Sequence, residues 1–131
     1  MILLDTHAWV WLAMDSKRLS RAALAAIRRA AESGGLSVAS ISLWELAALF
    51  DQGRIRAPRT IESSVRSVVE ETSVVVHEIT PEIAALATAF PAHFPSDPAD
   101  RLIGATARSL GLPLVTRDQR MSESTLLKTI W

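Results

Sequence analysis

The feature that most constrains the fold is a repeated alternation between short apolar segments and longer helix-forming segments. The short segments are apolar at consecutive positions, which is typical of strands buried on both faces. Strands are predicted over Ile2–Leu4, Leu36–Ala39, Val74–Ile79, Leu112–Thr116 and Leu126–Ile130. Such strands need helices on both sides, so the alternation predicts an α/β fold with a doubly wound parallel sheet.

Capping residues mark where the intervening helices begin. Ser20 and Thr60 are N-cap candidates, and Thr80 and Asp97 are each followed by a proline suited to the first helical position. Helices are predicted over residues 7–14, 21–33, 42–50, 61–71, 81–90 and 98–110. No linker, repeat or low-complexity segment interrupts the pattern, so we expect a single domain over residues 1–131.

Composition excludes several classes of function. The 14 basic and 14 acidic residues cancel, so the chain is not a polyanion binder that works through bulk charge. The absence of cysteine excludes disulfides and thiolate zinc sites. The N-terminal residues lack a signal-peptide pattern and no apolar run reaches membrane-spanning length, so we expect a cytoplasmic protein with no membrane contact.

Four acidic residues stand where predicted strands end or neighbouring helices begin: Asp5, Glu45, Asp100 and Asp118. Because sites in parallel sheets form where strands end and helices begin, these acids are able to converge on one crevice. Clustered carboxylates raise one another's pKa values and stay ionised only beside a cation, and hard oxygen ligands suit magnesium or manganese. The matching chemistry is metal-assisted hydrolysis of a phosphodiester bond.

Each acid also has a simpler structural interpretation. Ser42 and Glu45 have the spacing of a capping box, in which Glu45 would only satisfy a backbone donor. Asp97 is a good N-cap ahead of Pro98, and an acid at Asp100 would then be favoured by the helix dipole. Asp118 is a candidate turn residue. The convergence of the acids at one edge, rather than any single acid, favours a functional site.

Four motifs then appear in order along nearly the whole chain. They are LLDTHA at Leu3–Ala8, SLWELA at Ser42–Ala47, DPADRLIGATA at Asp97–Ala107 and LVTRD at Leu114–Asp118. Together they resemble the motifs of the PIN-domain toxins of bacterial toxin–antitoxin pairs, the VapC family. The resemblance implies a three-layer α/β/α sandwich with strand order 3-2-1-4-5 and a ribonuclease whose partner is a VapB-type antitoxin. It also implies a homodimer within the toxin–antitoxin complex.

The same resemblance assigns roles to individual residues. It implies that Asp5, Glu45, Asp100 and Asp118 form the catalytic site that binds Mg²⁺ or Mn²⁺. Thr6 and Thr116 match small hydroxyl positions beside those acids, and Asp97 recurs in this subgroup as a supporting residue. Gly104 departs from the family pattern, which has a larger aliphatic residue at this position more often.

The segment Ala8–Met14 carries large apolar side chains at consecutive positions, including Trp9 and Trp11. A helix that covers a sheet needs an apolar stripe on one face only, so some of these side chains must point away from the sheet. They either pack under another helix of the same chain or form a surface for a partner. We expect Trp9 or Trp11 to contact the antitoxin.

Three other functions compete with the nuclease interpretation. A receiver-type signalling or binding domain also gathers acids at strand ends, but it has adjacent acids after its first strand, where this chain has Leu4 before Asp5. A phosphatase of the haloacid dehalogenase type has a second aspartate two residues after the first, where this chain has His7. A PIN fold used only for binding is disfavoured by the presence of all four acids.

Overall fold

The computed structural model describes all 131 residues and contains one parallel sheet with strand order 3-2-1-4-5, as predicted. The strands are β1 (Ile2–Leu4), β2 (Leu36–Ala39), β3 (Val75–His77), β4 (Leu114–Val115) and β5 (Thr129–Ile130). The α-helices are α1 (Thr6–Met14), α2 (Arg21–Glu32), α3 (Ile41–Asp51), α4 (Ile61–Thr72), α5 (Pro81–Thr88), α6 (Pro98–Leu110) and α7 (Gln119–Ser122). A short 3-10 helix (Ser16–Arg18) follows α1.

The sheet separates two apolar cores, which makes the fold a three-layer sandwich. Alternate residues of β1 point to opposite faces, so Leu4 joins one core and Leu3 the other. The first, here called the tryptophan core, surrounds the fully buried Trp9 and includes side chains from α1, α2, α3 and α4. The second, the phenylalanine core, contains Phe90 and Phe94 and side chains from α5 and α6. None of the helices is both long enough and apolar enough to cross a bilayer.

The phenylalanine core explains why residue 104 is a glycine. The rings of Phe90 and Phe94 stack with their centroids 3.9 Å apart and their planes 9° from parallel. A Cβ at Gly104 would lie 2.9 Å from the Cζ of Phe94 and 3.1 Å from that of Phe90. The close approach of the two rings to α6 therefore requires a residue with no side chain, despite the low helix propensity of glycine.

The predicted capping box at Ser42 is wrong. Helix α3 begins at Ile41 with Ser40 at its N-cap, so Ser42 lies inside the helix. Its hydroxyl is buried and lies 2.8 Å from the Thr6 hydroxyl instead of capping a backbone N–H. Glu45 is therefore free of the backbone role that the sequence pattern had offered as an alternative.

Three predicted strands are shorter than expected, and two short helices were not predicted. Strands β3, β4 and β5 keep only the residues that pair with their neighbours. Thr80 already caps α5 after β3, and Pro113 precedes β4. The unpredicted elements are the 3-10 helix after α1 and the four-residue α7. Both are too short to produce a periodic pattern in the sequence.

Candidate active site

Asp5 stands at the end of β1 and begins α1. Its side chain caps the helix by accepting a hydrogen bond from the Ala8 N–H at 2.8 Å. Burial raises the pKa of Asp5, and hydrogen bonds from the Thr116 hydroxyl and the Ala8 N–H oppose that rise only in part. Asp5 therefore has a local structural role as the N-cap of α1. Its burial also disfavours the charged form of its carboxyl group.

Asp97 and Asp100 both lie at the start of α6 but have different roles. Asp97 is the N-cap, as its simpler interpretation predicted, and accepts hydrogen bonds from the backbone N–H groups of Ala99 at 2.7 Å and Asp100 at 3.4 Å. Burial raises the pKa of Asp100 to about 7, and the charges of Asp97, Asp118, Glu45 and Asp5 add to this rise. The pKa of Asp100 is thus raised by the charges of all the other acids at this edge.

Glu45 is held by a hydroxyl rather than by a cation. The Thr6 hydroxyl donates a hydrogen bond to Oε1 of Glu45. Because the single proton of Thr6 is used in this way, the Ser42 hydroxyl must be the donor in the 2.8 Å contact with Thr6. A buried chain of two hydroxyls therefore orients Glu45.

Asp118 is fixed by the turn that follows β4. It caps α7 by accepting a hydrogen bond from the Met121 N–H at 2.9 Å. Its own backbone N–H donates to the hydroxyl of the fully buried Thr116 at 3.0 Å. Thr6 and Thr116 thus take corresponding places, each beside one of the acids.

These elements bring the predicted acids to one edge of the sheet, here called the acidic edge and defined as Asp5, Glu45, Asp100 and Asp118. Asp5, Asp100 and Asp118 line one cavity of about 660 Å³. Glu45 does not line it, but lies near enough to raise the pKa of Asp100. None of the four forms an ion pair, since the single salt bridge of the chain joins Arg66 to Glu62.

The donor set of the acidic edge fits a hard cation. Carboxylate oxygens without a compensating cation are the ligands that Mg²⁺ and Mn²⁺ prefer. No three Asp, Glu or His side chains of the chain, however, are arranged closely enough to hold a metal ion by themselves. The protein therefore supplies the charge and the ligand type, but not a closed metal cage.

The sequence pattern of the PIN domain matches residues 2–125, which is nearly the whole chain. The chain belongs to the PIN-domain family. It is 46% identical over 120 residues to Ribonuclease VapC22 of Mycobacterium tuberculosis, which covers 92% of this chain and 88% of that protein. The resemblance predicted from the four motifs, to PIN domains of the VapC type, is confirmed.

Solved structures of toxin–antitoxin proteins contain chains with the same fold at low sequence identity. VapBC2 from Rickettsia felis, bound to a DNA fragment from its promoter, contains a chain with a TM-score of 0.73 and 16% identity, covering 98% of this chain and 97% of that one. DNA-bound VapBC from Salmonella typhimurium contains one with a TM-score of 0.70 and 22% identity at the same coverage. These likenesses confirm the predicted architecture.

The structure separates the two tryptophans that were predicted as partner contacts. Trp9 is 0% exposed and its indole N–H donates to the Thr72 hydroxyl at 2.9 Å, so Trp9 belongs to the tryptophan core and offers no surface. Trp11 is half-buried and lies in the wall of the cavity that contains the acidic edge. The partner prediction therefore applies to Trp11 alone.

Sequence reasoning missed the cationic part of this cavity. Arg18, Arg54 and Arg117 line it together with the acids. Arg18 and Arg54 lie outside the four motifs, Arg18 in the unpredicted 3-10 helix and Arg54 in the turn after α3. Arginine accounts for 12 of the 14 basic residues, but that enrichment is also ordinary for a GC-rich genome. It does not indicate which arginines lie near the acids.

Proposed function

We propose that this PIN domain is a metal-dependent endoribonuclease and the toxin of a toxin–antitoxin pair. The observation that carries the proposal is the position of Asp100, a carboxyl whose pKa is raised by four other carboxylates and which forms no ion pair with any cation of the chain. A protein gains nothing in stability from such an arrangement, because every charge opposes the others. The likeness to Ribonuclease VapC22 supports RNA as the substrate.

We propose that Asp5, Glu45, Asp100 and Asp118 hold Mg²⁺ or Mn²⁺. The open arrangement of the acids suits Mg²⁺, which keeps several waters and binds proteins through few carboxylates plus substrate phosphate oxygens. When bound, the ion would lower the pKa of a water molecule and stabilise negative charge on the phosphate. In the hydrolysis, one water adds to phosphorus, one P–O bond of the RNA breaks, and the leaving oxygen receives a proton.

The remaining residues of the site act by orientation. Thr6 fixes the Glu45 carboxylate through its hydroxyl, and Thr116 fixes the backbone that presents Asp118. Asp97 holds the start of α6 and therefore the position of Asp100 in the cavity. A site of this kind depends on side chains whose own partners keep them in place.

The proposal is tested by RNA cleavage with the purified toxin under four conditions: Mg²⁺, Mn²⁺, Ca²⁺ and excess chelator. We expect cleavage with Mg²⁺ or Mn²⁺, poor turnover with Ca²⁺ because of its looser coordination, and none with chelator. Full cleavage in excess chelator would rule out the metal mechanism. Binding of RNA without cleavage under any condition would favour a PIN fold used only for binding.

Asp97 and Asp100 provide a matched pair at the start of one helix. Asp97→Ser should keep the helix and most of the cleavage activity, because serine caps nearly as well as aspartate. Asp100→Ser should lose activity, because a hydroxyl does not replace an anionic ligand. An inactive Asp97→Ser with normal thermal stability would instead place Asp97 in the functional site.

We further propose that a VapB-type antitoxin covers the Trp11 surface in the cytoplasm, in a complex that contains a toxin homodimer. The solved structures that resemble this chain include VapBC complexes, which supports a partner of this kind. Replacing Trp11 by alanine should cost at least ~2 kcal/mol of affinity for the antitoxin, as buried aromatic anchors do. Calorimetric titration of folded Trp11→Ala with the antitoxin tests this, and wild-type affinity would place the partner elsewhere.

A further inference from the structure

The cavity that contains the acidic edge extends along the whole of α1. Asp5 stands at the N-terminal end of the helix, and Arg18 lies just beyond its C-terminal end. His7, Trp11 and Met14 line the cavity between them, and their spacing of four and three residues places them on one helix face. A helix of nine residues is about 14 Å long, so the cavity is a groove that leads well away from the acids.

Arg18 is held in this groove by an aromatic side chain. Its guanidinium carbon lies 4.7 Å from the centroid of the Trp11 ring, a cation–π contact. The Trp11 ring is itself fixed, because the rings of His7 and Trp131 each lie with their centroids 5.8 Å from it. No carboxylate pairs with Arg18, and no acceptor of the chain receives a hydrogen bond from its guanidinium group. Arg18 is therefore positioned with its guanidinium donors unused.

Arg54 reaches the same groove from the turn after α3. Gly53 adopts a left-handed backbone with φ of +70°, and the Arg54 N–H donates to the Leu49 carbonyl at 3.0 Å. This turn directs the chain back across the end of α3, where Leu49 and Ile55 also line the groove. The Arg54 side chain is exposed and forms no ion pair.

We propose that Arg18 and Arg54 form a phosphate-binding subsite that holds the backbone of single-stranded RNA beyond the bond cleaved at the acidic edge. The inference rests on the proposed ribonuclease function. A guanidinium binds phosphate with two parallel hydrogen bonds, and these two have their donors free. The chain has no net charge, so attraction of a polyanion must be local.

The size and charge of the groove favour one RNA strand over other occupants. A volume of about 660 Å³ is that of a small-ligand site, which is too small to enclose a duplex. Its carboxylates, including Asp15 near Arg18, repel phosphate unless the arginines and a bound cation compensate. A peptide anchored only by apolar contacts would leave the free guanidinium groups unpaired.

The test measures binding of a single-stranded RNA oligonucleotide by fluorescence anisotropy over a range of salt concentrations, with Ca²⁺ in place of Mg²⁺ because Ca²⁺ should support little turnover. Arg18→Gln and Arg54→Gln should each weaken binding about tenfold, as loss of one charge-assisted contact does. Each should also make the slope of log K against log salt shallower by about 0.7. In cleavage assays the loss should appear chiefly as a higher KM. The control is Arg59→Gln, an exposed arginine that does not line the groove and should change nothing.

The outcomes separate this subsite from the nuclease function. If the wild type cleaves RNA while both variants bind the oligonucleotide as tightly as Arg59→Gln, the subsite is overturned. If the variants lose only antitoxin affinity, the groove serves the partner protein and the subsite is again overturned. If the wild type binds the oligonucleotide without cleaving RNA, and Arg18→Gln weakens that binding, the subsite stands while the ribonuclease proposal fails.

Discussion

The acidic edge and the tryptophan core share β1 and α1 but hold their side chains in opposite ways. Leu4 and Trp9 are fully buried in the core, where removal from water stabilises them. Asp5, between them in sequence, is a carboxyl whose pKa is raised by burial. Burial therefore stabilises the core and disfavours charge at the edge. Charge-removing substitutions at the edge should leave the fold intact, whereas truncations in the core should destabilise it.

The largest expected effect is on catalysis at the edge. Asp5→Asn should reduce RNA cleavage by at least ~100-fold, since even residues outside the ligand shell of metal sites cost 10- to 100-fold. Asparagine caps a helix as well as aspartate does, so α1 should survive and the free energy of unfolding without metal should stay equal or rise. Cleavage rates and thermal melts of the same preparation check both parts. Wild-type cleavage by Asp5→Asn would remove this residue from the site.

The two tryptophans of α1 test the core side of the comparison. Trp9→Ala should lower the free energy of unfolding by about 3–5 kcal/mol, because it leaves a cavity and removes the hydrogen bond from the indole N–H to the Thr72 hydroxyl. Trp11→Ala, at a half-buried position, should cost only about 1 kcal/mol. Urea denaturation of both variants gives the difference. Equal losses of stability would contradict the placement of only one tryptophan in the core.

Gly104 provides a smaller test in the phenylalanine core. Alanine has the higher helix propensity, but its Cβ would collide with the stacked rings of Phe90 and Phe94. Gly104→Ala should therefore lower the free energy of unfolding by about 1–3 kcal/mol, the usual cost of overpacking. A more stable Gly104→Ala in chemical denaturation would mean that the rings move aside easily.

The smallest expected effect is a pH dependence that originates at the edge. The pKa of Asp100 is raised from 3.8 to about 7, so the folded state binds this proton more tightly than the unfolded chain does. Its contribution to stability falls as pH rises from about 4 to about 7 and then stays constant. With chelator present, the wild type should melt at a lower temperature near pH 8 than near pH 5.5, and the difference should shrink in Asp100→Asn. An undiminished difference would assign the effect to other groups.

The sequence predicts the sheet and the convergence of the acids because both depend on local patterns. Short apolar segments define strands, and the acids follow from their positions at strand and helix ends. The choice between Trp9 and Trp11 is different, because α1 is apolar on every side and its orientation is set by contacts with Thr72 and Trp131. In such a segment, helical periodicity does not indicate which face of the helix is buried.

The errors at the site have the same tertiary origin. Ser42 and Glu45 match a capping box in sequence, but Ser40 begins the helix and leaves Ser42 to contact Thr6. Arg18 and Arg54 come to the groove only because a 3-10 helix and a turn at Gly53 place them there. Contacts between residues far apart in sequence decide both cases, and no local pattern reports them.

The most direct test of the account is calorimetric titration of Mn²⁺ into the RNA-free protein, with Asp100→Asn and Asp97→Asn measured in parallel. The wild type and Asp97→Asn should bind the ion, because asparagine preserves the N-cap of α6. Asp100→Asn should bind it at least ~10-fold more weakly, because it removes the carboxylate at the centre of the cluster. Equal affinity in all three proteins, or no binding by the wild type, would contradict a metal site at the acidic edge.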